Sequence, residues 1–186
     1  ADVVGVGGVT DTFEGALNVC RIAKRLGMKT IVGGVHVTLL PSESIAFDEI
    51  DIVVIGEGEY ALIELLDSME KKQDLKKVKG IVFKKEVKGK IKFVKTPLRG
   101  RIENLDKLPF PARDLFPWKL YSSYSSLVRE VPCMHIMTSR GCPFHCTFCS
   151  SQNLWKVCTS RTSKNIIKEI EYLIEYYQVK EIYILD

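Results

Sequence analysis

The chain of 186 residues carries 27 lysines and arginines against 23 aspartates and glutamates, a net charge of +4, and 46% of its residues are hydrophobic. This composition is typical of globular domains and excludes a disordered chain. The apolar runs are strand-sized, and none approaches the ~20 residues that a membrane-spanning helix needs. No segment of this sequence has the pattern of a signal peptide, and none is expected. Because Ala1 already lies in a strand-like run, without a start methionine, we expect a piece of a longer protein.

The first part of the sequence alternates short apolar strands with amphipathic helices. Thr12 is the predicted cap of the first helix, and the predicted buried face of this helix includes Val19, Cys20 and Leu26. Such alternation predicts a parallel sheet with helices on both faces, over a first domain at residues 1–75. The predicted strands are at 3–6, 29–32 and 51–55, and the predicted helices are at 13–26, 41–47 and 60–72.

Glycines follow the predicted strands of the first domain. Gly33 and Gly34 come after the second strand, and Gly56 comes after the third. Ligands of parallel sheets bind at the carboxyl ends of the strands, and glycine lets the backbone approach a ligand closely. These glycines are therefore candidate binding residues.

Residues 76–130 are predicted to form a β-hairpin and a proline-punctuated linker between domains. Two alternating apolar runs flank a turn at Lys88-Gly89. Eleven lysines lie between Lys71 and Lys95. Lysines can bind nucleic acid, but they also protect exposed strand edges. The small net charge favours the second interpretation, so nucleic acid is not an expected partner.

A third domain at 131–186 opens with a strand at 135–139, which runs into a loop with three cysteines within eight residues. Three thiolates can hold three corners of a cubane iron–sulfur cluster and leave the fourth iron open. A pure electron carrier normally closes all four corners with cysteine. A helix capped by Thr162 or Ser163, with Ile167 and Ile174 on its predicted apolar face, and a parallel strand at 180–185 follow the loop. The cysteines are Cys142, Cys146 and Cys149.

The C-x3-C-x2-C spacing, with the aromatic Phe148 before the last cysteine, resembles the signature of the radical S-adenosylmethionine (radical SAM) superfamily. The resemblance implies that the three cysteines hold a [4Fe–4S] cluster and that its open iron binds S-adenosylmethionine. Phe148 would lie along the adenine. Reductive cleavage of the sulfonium to a 5′-deoxyadenosyl radical follows, with a reductant such as flavodoxin or ferredoxin. The third domain would be the start of a (β/α) barrel.

The first domain resembles the carboxy-terminal half of the cobalamin-binding domain that precedes many radical SAM barrels. This resemblance implies a Rossmann-like fold, with cobalamin held near the candidate glycines. The matching segments are Gly33-Gly34-Val35-His36, Pro41-Ser42-Glu43 and Gly56-Glu57-Gly58-Glu59.

Two family features differ from this pattern. The Asp-x-His-x-x-Gly loop, which in some members supplies the lower ligand of cobalt, would lie before Ala1, and His36 is not its histidine. The Ser-x-Leu element is represented here by Gly7-Gly8-Val9, which lacks the hydroxyl.

The same cysteines could instead form a structural zinc site or a closed, ferredoxin-like cluster, with His145, Cys133 or Cys158 as the fourth ligand. Zinc sites usually pair two separated knuckles, and no second knuckle exists here. Cys133 and Cys158 each stand nine residues from the nearest cluster cysteine. An open cluster is therefore the favoured interpretation, and its thiols favour a reducing cytoplasm.

Two further polar residues are candidates near the cluster. Arg161, before the second helix of the third domain, could pair bidentately with a carboxylate of S-adenosylmethionine. Asp186 ends a strand at the catalytic edge of a barrel, where it could orient a ligand hydroxyl. An exposed or purely structural role is the alternative for both.

The predicted function is that of a radical SAM enzyme acting on an unactivated carbon of a small molecule, with cobalamin-dependent methyl transfer first and ring formation next. A tRNA methylthiotransferase is the rival enzyme. Its amino-terminal domain carries three more cluster cysteines, whereas this region holds only Cys20. A non-catalytic iron–sulfur or corrinoid carrier is the alternative from another class.

Overall fold

The computed structural model describes residues 1–120, 128–155 and 157–186, and it divides into two compact units, Ala1–Arg101 and Ile102–Asp186. Residues 121–127, within the predicted linker, lie outside the described residues. The first unit contains the strands β1 (Val3–Gly7), β2 (Lys29–Gly33), β3 (Ile52–Val54), β4 (Ile81–Val87) and β5 (Lys90–Lys95). Its helices are α1 (Phe13–Arg25), α2 (Val35–Leu39), α3 (Pro41–Ser44) and α4 (Gly58–Glu70).

The five strands of the first unit form one sheet in the order β1-β2-β3-β4-β5. The first three strands are parallel, and β4 and β5 continue the sheet in antiparallel pairing. Lys88 and Gly89 have φ angles of +53° and +74° and form the predicted turn of the hairpin. The hairpin thus extends the first sheet, whereas the sequence-based boundaries, at residues 75 and 130, group it with the linker.

Two apolar cores cover the two faces of this sheet. Val32 and Val53 pack with Leu17 and Cys20 of α1. Their strand neighbours Ile31, Ile52 and Val54 pack with α4 instead. Because successive side chains of a strand point to opposite faces, α1 and α4 cover opposite faces, as the sequence predicted. Burial raises the pKa of the Cys20 thiol, and the carboxylates of Glu49 and Asp51 raise it further.

The first helix differs from its prediction in two details. Val19 and Leu26, which share the predicted apolar spacing, are 45% and 66% exposed. Thr12 precedes α1, but its hydroxyl exchanges hydrogen bonds with the backbone of Val9 and does not cap the helix. The stripe of α1 that packs on the sheet is therefore narrower than the sequence pattern indicates.

A buried carboxylate joins β2, β3 and α1 at one edge of the sheet. Asp51 accepts hydrogen bonds from Lys24 Nζ at 2.8 Å and from the backbone N–H of Thr30 at 3.0 Å. Lys29 Nζ lies 3.6 Å away. Burial alone raises the pKa of the Asp51 carboxyl, but these hydrogen bonds and lysine charges outweigh it, so the pKa lies below its usual range.

Asp51→Asn is expected to destabilise the first unit by about 2 kcal/mol at pH 7, because hydrogen bonds to a charged group are lost. The pKa of Asp51 is lower in the folded state than in the unfolded state, where it is near 3.9. The ionised carboxylate therefore stabilises the fold above about pH 3.9, and this stability is lost as the pH falls through the folded-state pKa. The difference from wild type should therefore shrink below about pH 4. Urea unfolding followed by far-ultraviolet circular dichroism measures both. The exposed Asp48→Asn is the control, and an equal loss there would contradict the assignment.

The second unit is a β-α-β arrangement with a loop insertion. Its β6 (Cys133–Ile136) and β9 (Glu181–Ile184) pair in parallel, with α6 (Ser163–Tyr177) between them in the chain. Two short strands, β7 (Ser139–Arg140) and β8 (Thr159–Ser160), pair antiparallel, and α5 is Ser151–Leu154. The continuation of this unit into a barrel stays a prediction.

The helix α6 begins as predicted, with the Thr162 hydroxyl accepting a hydrogen bond from the Asn165 N–H at 3.2 Å. Asp106 accepts hydrogen bonds from the Thr162 N–H and hydroxyl, and these bonds lower the pKa of the Asp106 carboxyl. Leu173 and Tyr177 pack against Met134 and Ile136 of β6. Among the described residues, no helix is long and apolar enough to span a membrane.

Candidate functional site

Three glycine turns lie at the carboxyl ends of β1, β2 and β3, and hydrogen bonds tie them together. The Gly8 N–H donates to Gly33 O at 3.3 Å. The Thr38 hydroxyl donates to Gly34 O at 2.8 Å and accepts from the Gly56 N–H at 3.0 Å. This edge of the first sheet is therefore preorganised.

The glycines of this edge have two different physical roles. Gly34 has a φ of +104°, and a Cβ atom on it would lie 2.6 Å from Gly8 O. Gly33 and Gly56 would instead project a Cβ into open space, although Gly56 also has a φ of +79° that favours glycine. Gly34 therefore fixes the contact between two turns, while the other two leave bare backbone that a ligand can approach.

Gly34→Ala is expected to destabilise the first unit by about 1–3 kcal/mol, since it combines a strained φ with a backbone clash. Gly33→Ala is the matched control and should change stability by less than about 0.5 kcal/mol. Both tryptophans, Trp118 and Trp155, belong to the second unit. Hydrogen exchange of the β2 amides is therefore the appropriate measurement. Equal protection in the two variants would contradict this division of roles.

A histidine that the sequence interpretation set aside lies beside these turns. His36 is 6% exposed and stacks on Phe13 with a ring-centroid distance of 3.9 Å. Its Nδ1 lies 3.2 Å from the Thr10 hydroxyl. Its Nε2 is buried and has no hydrogen-bond partner within the described parts of the chain. The Gly33-Gly34-Val35-His36 segment holds the only sequence signal for this buried ring.

The three-cysteine loop of the second unit follows β6 and is closed at its base by β7 and β8. Gly141 has a φ of +94°, and a Cβ there would lie 2.6 Å from Val157 O and 3.2 Å from the Cys158 Cα. The end of the loop therefore packs directly on Gly141, where a side chain would clash. This contact explains why glycine precedes Cys142.

Hydrogen bonds within the loop hold the backbone around the thiols. Gln152 Nε2 donates to Cys142 O at 3.1 Å and to Phe144 O at 2.5 Å. The Cys149 N–H donates to Cys146 O at 3.1 Å, and the Ser151 N–H lies 3.5 Å from the Cys149 Sγ. N–H groups directed at sulfur stabilise the thiolate form that binds metal.

The donor set of this loop fits an iron–sulfur cluster. None of the six cysteines, all within the described ranges, forms a disulfide. Cys142 is partly exposed, and Cys146 and Cys149 are exposed, so their thiols are available to iron. No three His, Cys, Asp or Glu side chains among the described residues converge as a ready-made metal site. Phe148, the predicted adenine neighbour, is 92% exposed.

Asp186 is engaged with the segment that leads into the loop. Its carboxylate accepts hydrogen bonds from the Thr138 N–H at 2.7 Å, from the Ser139 N–H at 3.0 Å and from the Thr138 hydroxyl. Burial raises its pKa, but the hydrogen bonds from Thr138 and Ser139 outweigh this effect and keep the pKa low. The structure therefore gives Asp186 a role in fastening β9 to the start of the loop.

Arg161 lies in a cluster of charges beside β6. Arg161 Nη1 donates to Glu169 Oε2 at 2.5 Å and to Met137 O at 2.8 Å. Arg113 Nη2 donates to Glu169 Oε1 at 2.7 Å and to His135 O at 3.1 Å. The two arginines therefore bind one backbone carbonyl within β6 and one directly after it, in addition to their shared carboxylate. Contact of Arg161 with S-adenosylmethionine stays a prediction.

These features define an α/β domain with a glycine-lined ligand edge, in a chain that also carries a loop of three cluster-type thiols. Residues 1–66 match the model of the B12 binding domain family. The first unit therefore contains a B12-binding-type domain, and its Rossmann-like fold is confirmed.

Relatives match the whole chain. It is 37% identical over 189 residues to an uncharacterized methyltransferase of Pyrococcus horikoshii, covering 100% of this chain and 39% of the relative. An anaerobic magnesium-protoporphyrin IX monomethyl ester cyclase of Rubrivivax gelatinosus is 31% identical over 184 residues, covering 96% of this chain and 32% of the cyclase. The chain thus spans well under half of either relative.

A solved structure gives the same relationship at the level of fold. The cobalamin-dependent S-adenosylmethionine radical enzyme OxsB, with aqua-cobalamin and S-adenosylmethionine bound, matches with a TM-score of 0.75 and 20% identity. The match covers 100% of this chain and 25% of OxsB. The likeness shows a shared fold over this chain, and the predicted relationship to proteins that carry a B12-binding-type domain is confirmed by the family match at residues 1–66.

Proposed function

We propose that the protein is a radical SAM enzyme that modifies an unactivated carbon of a small molecule. The loop with Cys142, Cys146 and Cys149 carries this proposal, because three available thiols on one loop can hold a cluster with one open iron. A bound [4Fe–4S] cluster supplies the electron for reductive cleavage of S-adenosylmethionine. The chain contributes the thiolates, the N–H group near the Cys149 Sγ and the glycine that closes the loop.

Cobalamin is the proposed second cofactor, held at the carboxyl edge of the first sheet. Gly33 and Gly56 would let the corrin or its nucleotide tail approach the backbone, and Thr38 and Gly34 would keep the turns in place. The match of residues 1–66 to the B12 binding domain supports this assignment. When bound, cobalamin supplies a transferable methyl group on cobalt.

Methyl transfer is the first candidate reaction, since one relative over the whole chain is described as a methyltransferase. Ring formation is the second, because the cyclase relative matches 96% of this chain. Which of the two reactions occurs depends on contacts with the substrate, and this chain spans only 39% and 32% of the two relatives. Both reactions share the same cluster loop and the same first step.

The rival functions receive less support. A methylthiotransferase needs more cluster cysteines in its amino-terminal domain, and Cys20 in that region is fully buried with a raised pKa. A carrier with a closed cluster needs a fourth thiolate. Cys158 is the thiol beside the base of the loop, so its replacement separates an open from a closed cluster.

The test is anaerobic reconstitution with iron and sulfide, followed by reduction with dithionite in the presence of S-adenosylmethionine. Formation of 5′-deoxyadenosine, measured by mass spectrometry, is the expected result. A fully reconstituted cluster without any 5′-deoxyadenosine would contradict the proposal. Titration with hydroxocobalamin, followed by absorbance, tests the second cofactor separately, and Gly33→Ala should weaken that binding without loss of fold.

A further inference from the structure

A cavity of about 280 Å³ lies within the second unit. Its walls are mainly apolar and include Leu105, Leu108, Phe110 and Met137. Its polar side is made of Arg113, Arg140, Arg161 and Glu169, together with His135 and Ser139. Three arginines thus face one glutamate around an apolar space.

Arg113, one of the arginines on this polar side, has a donor nitrogen without a hydrogen-bond partner among the described residues. Arg113 is 6% exposed, and its Nη2 already donates to Glu169 and to His135 O. Its Nη1 is buried and has no hydrogen-bond partner in the described portion of the chain. Glu169 is not a counterion for Arg113 alone, because its second carboxylate oxygen accepts a hydrogen bond from Arg161. Glu169 is therefore shared between the buried guanidinium of Arg113 and the partly buried one of Arg161, whose charge also acts on Asp106.

An unmet donor on a buried cation is unfavourable, because the group has lost its hydration without gaining a hydrogen bond. An anion in the cavity would remove that cost by accepting a charge-assisted hydrogen bond from Arg113. The apolar walls and the single unmet N–H favour a monocarboxylate over a phosphate, which carries more charge and needs more donors. The volume lies just below the range of about 300–1,000 Å³ for drug-sized ligands, so the ligand must be small.

We propose that this cavity binds a small carboxylate with an apolar body, whose oxygen accepts a hydrogen bond from Arg113 Nη1. The apolar body lies against Leu108 and Phe110. Phe110 is already held by the Arg161 guanidinium, which lies 5.7 Å from its ring centroid. The inference rests on the second unit alone and does not depend on the cluster or on cobalamin.

The test is ¹⁹F nuclear magnetic resonance of 4-fluorobenzoate in the presence of the full chain, with 4-fluorobenzyl alcohol as the neutral probe of the same shape. We expect saturable line broadening for the carboxylate and at least about tenfold weaker binding of the alcohol, because the charge-assisted hydrogen bond is lost. Equal binding of both probes, or no binding of either, would overturn the proposal.

Two variants make the assignment specific. Leu108→Trp fills the cavity without touching the charges, and Arg113→Gln removes the donor. Each should weaken 4-fluorobenzoate binding at least about tenfold. The exposed Arg129→Gln should leave binding unchanged. Circular dichroism checks the fold of each variant, and Leu108→Trp carries the test if Arg113→Gln unfolds. Unaltered binding in Leu108→Trp, or displacement of the probe by S-adenosylmethionine, would exclude a separate carboxylate site.

Discussion

Cys146→Ala is expected to abolish both cluster assembly and the cleavage of S-adenosylmethionine. A cubane that needs three loop thiolates retains only two in this variant, so reconstituted iron should fall from about four per chain to less than half of that. Formation of 5′-deoxyadenosine should fall to the level of the protein-free control. Iron and sulfide analysis, with the mass-spectrometric assay, measures both effects.

The control for this variant is Cys158→Ala, which removes a thiol next to the loop and leaves the three ligands intact. It should keep the iron content and the cleavage activity. Loss of the cluster in Cys158→Ala would indicate a fourth cysteine ligand and a closed site. Full cleavage activity in Cys146→Ala would refute the assignment of the loop.

Glu169→Leu is expected to destabilise the second unit by about 3–5 kcal/mol, because it leaves the buried Arg113 and the partly buried Arg161 without their shared carboxylate. Glu169 is 1% exposed and receives hydrogen bonds from both Arg113 and Arg161. The exposed Glu171→Gln, on the same helix, should change stability by less than about 0.5 kcal/mol.

Tryptophan fluorescence is the appropriate measurement for this variant, since both tryptophans lie in the second unit. Trp118 packs against Tyr177 of α6 with a ring-centroid distance of 5.4 Å. Urea unfolding followed at this probe therefore reports on the unit that contains Glu169. A combined replacement of Arg113, Arg161 and Glu169 by Met, Met and Leu should recover most of the loss. An unchanged midpoint in Glu169→Leu would contradict the role of this cluster.

The elements with strong local signals were predictable from the sequence. Apolar runs bounded by glycine identified the three parallel strands. The Lys88-Gly89 turn identified the hairpin, and both of its residues have a positive φ in the structure. The Thr162 cap and the spacing of the three cysteines are also local patterns. Each of these depends on residues that are close together in the chain.

Features that depend on distant partners were not predictable in the same way. Arg113 and Glu169 are 56 residues apart, and no spacing rule links them. The pairing of β4 with β3 also joins distant segments, so the hairpin was assigned to the linker. On α6, Ile167 and Ile174 are each 51% exposed, although the apolar spacing includes them in the buried face. Glu169 is buried on α6 because the two arginines compensate its charge.

The candidate site also contains features that short motifs predict and features that depend on distant residues. The cysteine loop and the glycine turns carry their signal in short motifs, and the B12-binding relationship followed from them. The buried Nε2 of His36 and Nη1 of Arg113, which have no hydrogen-bond partner among the described residues, are evident only with the surrounding side chains in place. Buried polar atoms of this kind result from packing, which single-sequence patterns do not encode.

The most direct test of the central claim is electron paramagnetic resonance of the anaerobically reconstituted, dithionite-reduced protein, with and without S-adenosylmethionine. An open iron on the 142–149 loop predicts a [4Fe–4S] signal whose g values change when S-adenosylmethionine is added. A cluster signal that is indifferent to S-adenosylmethionine would contradict an open iron and favour a closed electron carrier. Absence of iron, with zinc retained in its place, would contradict the cluster itself.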